Sequence, residues 1–69
     1  MLFTLEVERE DDGRWLAEVV QLPGALAYGA SANEAMAKAE ALALRALAEQ
    51  LEQGEAAPTE ISIVLPAAA

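Results

Sequence analysis

Residues 21–35, QLPGALAYGASANEA, constrain the fold more than any other stretch of the chain. Pro23 fixes φ, and Gly24 suits the left-handed position of a type II turn. Residues 25–28 are then enough for one short strand, with Leu26 and Tyr28 on one face. Gly29 releases the chain from that strand. Ser31-Ala32-Asn33-Glu34 has the capping-box pattern. The Ser31 hydroxyl caps the Glu34 amide, and the Glu34 carboxylate reaches back to the helix start. Strand and turn therefore give way to helix within a few residues.

The chain before this stretch reads as a hairpin. In residues 2–9, Phe3, Leu5 and Val7 alternate with Thr4, Glu6 and Glu8. That is the period of a strand with one face buried and one in water. Glu10-Asp11-Asp12-Gly13 follows. Asp and Gly both tolerate the positive φ that tight hairpin turns need. In the return strand, residues 14–20, Trp15, Ala17 and Val19 alternate with Leu16, Glu18 and Val20. Apolar residues on both sides predict a central strand, or one whose second face a partner covers.

The chain after it reads as one helix and one strand. No Gly or Pro interrupts residues 32–53. Ala35, Ala39, Leu42, Ala43, Ala46, Leu47 and Leu51 form the apolar stripe. Glu34, Lys38, Arg45, Glu49 and Glu52 lie opposite it. Glu34–Lys38 and Arg45–Glu49 are i,i+4 pairs of opposite charge. Gly54 stands in the C′ position that stops a helix. A linker with Pro58 leads to a last strand over residues 60–65, and residues 66–69 are expected to fray.

These elements predict one α+β domain over residues 1–69, a β-β-β-α-β two-layer sandwich with its core in residues 2–65. One helix covers one face of the sheet. The other face, or an edge strand, is left for a partner. At 69 residues the core is small, and no cysteine or histidine is present to staple it. The apolar fraction of 55% exceeds what so small a core needs. It points to a homodimer or higher oligomer, although an alanine-rich composition accounts for it equally well.

Chemistry is sparsely represented. Without His or Cys the common nucleophile–base pairs are missing. Ser31 is used as a cap, and Ser62 has no nearby base in sequence. Glu10, Asp11 and Asp12 lack the spacing of a calcium loop. No glycine-rich phosphate loop precedes the helix. The expectation is a protein that is not an enzyme, with no catalytic residue, metal or cofactor. Twelve acidic residues against four basic ones give a net charge of −8. Such a surface repels nucleic acid and steers a basic protein towards itself. No signal peptide is visible, and no run approaches the ~18 apolar residues of a membrane span. A cytoplasmic location is expected.

Asp12-Gly13-Arg14-Trp15, Leu22-Pro23-Gly24, Gly29, Ser31, Glu34-Ala35, Glu40-Ala41, Gly54-Glu55 and Pro58 occur in that order. Together they resemble the HicB antitoxin-like domain across nearly the whole chain. The order and spacing carry the likeness more than any single motif. The resemblance implies a partial ribonuclease-H-like β-β-β-α-β fold without implied catalysis. It also implies a partner, a small basic mRNA-cleaving toxin of the HicA type. Gln21 stands where the family often has Asp, and Ala25 where it often has Cys. The family's C-terminal DNA-binding segment has no counterpart in these residues, so operator binding does not carry over. Trp15, Glu18, Pro23, Gly24 and Tyr28 are the candidate partner-binding residues, although a tryptophan placed just after a turn, as Trp15 is, is more often core or rim packing than a binding anchor. The alternative is an orphan HicB-like homo-oligomer with a structural or regulatory role. A metal-dependent enzyme built on Asp11 and Asp12 ranks last, because those carboxylates sit in one turn.

Overall fold

The computed structural model describes residues 1–66. Of the tail expected to fray, residues 67–69 lie outside the described residues. The element order is β1 (Leu2–Arg9), β2 (Trp15–Val19), β3 (Leu26–Gly29), α1 (Ala32–Glu52) and β4 (Ser62–Val64). This is the expected β-β-β-α-β order of a small α+β domain.

The sheet is four-stranded and mixed, in the order β3-β2-β1-β4. β2 is central, as its two apolar sides predict. β1 pairs antiparallel with β2, setting Glu6 opposite Glu18 and Glu8 opposite Leu16. β2 pairs antiparallel with β3, setting Leu16 opposite Tyr28 and Glu18 opposite Leu26. β4 lies parallel to β1, with Phe3 opposite Ile63.

The hairpin turn departs from expectation in one detail. Gly13 takes positive φ (91°), while among the described residues none other than glycine does. The Gly13 N–H donates to the Glu10 carbonyl at 3.0 Å, and Glu10 N–H to the Arg14 carbonyl at 2.7 Å. This is a type I turn closed by a left-handed glycine, so Asp12 needs no unusual backbone. Its carboxylate instead accepts from the Arg14 N–H at 3.1 Å and from Arg14 Nε at 2.7 Å. The Pro23-Gly24 turn is type II, with Ala25 N–H donating to the Leu22 carbonyl at 2.9 Å and Gly24 at φ 90°.

Ser31 caps α1, its hydroxyl accepting from the Glu34 amide at 3.1 Å. The Glu34 carboxylate reaches back to the main chain at Ala30 and also accepts from Lys38 Nζ at 2.9 Å. Gly54 closes the helix at φ 73°. Glu55 N–H reaches the Gln50 carbonyl and Gly54 N–H the Leu51 carbonyl, the paired bonds of a Schellman motif. The Arg45–Glu49 pair does not form. Glu49 accepts from Gln53 Nε2 instead.

Phe3, Leu5, Ala17, Val19, Ala35, Ala39, Ala43 and Leu47 make the core. The buried helical residues recur every four positions, a single ridge one residue wide. The expected stripe was broader. Leu42 and Leu51 stand 37% exposed, since alanines bring α1 so close to the sheet that its flanks overhang it. α1 packs across β3, β2 and β1 and does not reach β4. β4, Ser62–Val64, is shorter than the expected residues 60–65 and pairs only with Leu2, Phe3 and Thr4 of β1. Ile61 and Leu65 lie exposed at its ends, with no helix above them.

Candidate partner-binding face

Odd-numbered residues of β1 and β2 face α1. Even-numbered residues therefore face the other side of the sheet. The one helix among the described residues packs on the odd-numbered side, so no helix covers the even-numbered one. The pairing register builds its surface in rows. Tyr28, Leu16 and Glu8 form one row; Leu26, Glu18 and Glu6 form the next. Val20 N–H donates to the Thr4 carbonyl at 2.9 Å, and Thr4 pairs with Val64, which sets Val20, Thr4 and Val64 in a third row.

Three carboxylates thus converge at the centre of an open face. Glu6, Glu8, Glu18 and Leu16 line a shallow depression there. Glu6 and Glu18 are directly opposed, and like charges in that relation oppose strand pairing. Apolar side chains frame the acidic centre. Val20, Leu26, Tyr28 and Val64 are each 40–50% exposed. Arg14 sits at one corner, with its guanidinium carbon 4.4 Å from the centre of the Tyr28 ring and its Nε 2.7 Å from Asp12 Oδ2. The Tyr28 ring is thereby held against the sheet. At another corner Gln21 takes the place of a strand residue. Its Oε1 accepts from Thr4 N–H at 2.7 Å, and its Nε2 donates to Thr4 Oγ1 at 3.0 Å.

The five candidate residues do not share a surface. Glu18 and Tyr28 lie on the open face. Trp15 lies on the helix side, partly buried against the core. Pro23 and Gly24 are exposed in the turn between β2 and β3. Glu6, Glu8 and Arg14 belong to the open face and were not among the candidates. The signal for the first two was present in sequence. A tight Asp-Gly turn fixes the hairpin register, and that register sets Glu6 against Glu18.

Two carboxyl groups depart from their ordinary values. The Arg14 main-chain N–H, followed by its guanidinium, holds Asp12 below the usual value of 3.8. Lys38 holds Glu34 below the usual value of 4.5. Both belong to local caps and lie off the acidic centre. Among the described residues no group of three His, Cys, Asp or Glu side chains is placed to hold a metal ion. Nor is any helix among them long and apolar enough to cross a membrane. A second cleft, between the start of β1 and the last turns of α1, is lined by Met1, Phe3, Leu22, Ala46 and Leu47 and has no titratable side chain. No family model, curated protein or solved structure matches the chain.

Proposed function

We propose that this chain is a HicB-like antitoxin module that binds and neutralises a small basic mRNA-cleaving toxin of the HicA type. It acts in the cytoplasm by protein–protein contact, with no catalysis, metal or cofactor of its own and no direct contact to nucleic acid. Its fold is the partial ribonuclease-H-like arrangement of that family. The observation that supports this reading is the uncovered sheet face. Glu6, Glu8 and Glu18 gather there without a cation between them, inside a frame of exposed apolar side chains. A basic partner would relieve the opposition of Glu6 and Glu18 and cover the frame at the same time. Glu18 and Tyr28 then contact the partner directly, with Glu6, Glu8 and Leu16 beside them. Trp15 supports the face from behind.

The second reading is an orphan homo-oligomer, favoured by exposed Ile61, Val64 and Leu65. One experiment separates the two. The tagged chain captures partners from its own cell extract, and the eluate is assayed for ribonuclease before and after dissociation. The antitoxin reading predicts an eluate that is silent when bound and cleaves RNA once the partner is dissociated and refolded. An eluate without latent ribonuclease contradicts it.

A further inference from the structure

The two edges of the sheet are unlike. At the β3 edge, Val19 N–H donates to the Ala25 carbonyl, so Ala25, Ala27 and Gly29 turn their main-chain groups towards β2. Leu26 and Tyr28 turn theirs outwards. Lys38 Nζ approaches the outward Tyr28 carbonyl at 3.5 Å, and α1 packs along this strand. A lysine and a covering helix are two of the usual ways to blunt an edge.

The β4 edge has neither. Ser62 N–H donates to the Met1 carbonyl at 2.9 Å, so Ser62 and Val64 use their main-chain groups on β1. Ile61, Ile63 and Leu65 therefore present theirs outwards. Residues 61–65, ISIVL, carry no charge. Of their helix-side row, Ile63 packs against the edge of the core, while Ile61 and Leu65 on either side of it stay exposed.

We infer that β4 pairs antiparallel with β4 of a second copy of this chain, about a two-fold axis at Ile63. The outward groups dictate that register. Ile63 bonds its own counterpart, Ile61 bonds Leu65 of the other copy, and Ser62 faces Val64. The two helix-side apolar rows then join into one strip. Charge selects the occupant. A chain of net charge −8 repels its copy wherever carboxylates meet, and residues 61–65 hold none. A basic partner would find no counter-charge there. The strip and strand offer on the order of 400 Å² per copy, about half of a standard interface. The dimer is therefore a weak one, in the micromolar range. It leaves the open face free and does not depend on the ribonuclease reading, so molecular mass and ribonuclease capture can fail separately.

Sedimentation equilibrium at micromolar to submillimolar concentration tests it. The wild-type chain should be dimeric. Ile61→Lys and Leu65→Lys, both at exposed positions, should each weaken association about tenfold or more while the circular dichroism is unchanged. Glu18→Lys on the open face should leave the dimer intact. Ser62→Cys combined with Val64→Cys should give a covalent dimer on oxidation, because that facing pair lies within disulfide reach. A wild-type monomer at submillimolar concentration overturns the proposal. So does a dimer indifferent to both lysines, a dimer lost in Glu18→Lys, or a dimer that the cysteines fail to lock.

Discussion

Single residues set how closely the layers meet. Gly29 shows this best. A Cβ built there would lie 2.6 Å from the Ala35 nitrogen and 3.1 Å from its Cα. Both are main-chain atoms of the first helical turn and cannot swing aside. Gly29→Ala is expected to destabilise the fold by about 1–3 kcal/mol, read from urea midpoints at equal m-value. From sequence Gly29 marked only the end of a strand. Its packing role needed the position of Ala35, which no local pattern contains. Trp15 packs against the core, the commoner place for a tryptophan just after a turn, while alternation alone gives two faces and does not say which one the helix takes. The two perturbed carboxyls are also local. A lowered folded-state value means stabilisation that is present above the ordinary pKa and lost as pH falls through the folded one. Asp12 and Glu34 should titrate below 3.8 and 4.5 by carboxyl-detected NMR. Lys38→Gln should return Glu34 towards its ordinary value. Arg14→Gln should leave Asp12 lowered, because the main-chain N–H at 14 is the first cause and survives.

At the level of elements, the helix was legible, and its contact face was legible in position but not in width. Ser31, the unbroken run after it and Gly54 mark both ends by chemistry that acts within a turn. The apolar stripe read from sequence ran wider than the ridge that packs. Leu42 and Leu47 look equivalent by composition, yet Leu47 is 2% exposed and Leu42 37%. Leu47→Ala should cost about 2–4 kcal/mol and Leu42→Ala under about 1 kcal/mol, measured by chemical denaturation. Near-equal losses would place the helix in a different rotation. The strands were legible for the opposite reason. A period of two and tight turns determine both the pairing and the facing residues of β1 and β2. The parallel placement of β4 was not legible, because it depends on where a helix of this length returns the chain.

The whole molecule is a thin, long sandwich, 41 × 20 × 16 Å in extent. Its helix covers one side of three strands, and its acidic centre occupies the other side. That asymmetry is the core of the functional account, which treats the open face as a docking surface for a basic ribonuclease. The most direct measurement compares capture by the wild-type chain with capture by a Glu6→Lys, Glu18→Lys double variant. Both positions are exposed, so the fold should persist by circular dichroism. The account predicts that the wild type retains a latent ribonuclease, released on dissociation, and that the variant retains none. Equal retention by the folded variant, or no latent ribonuclease with the wild type, would contradict it.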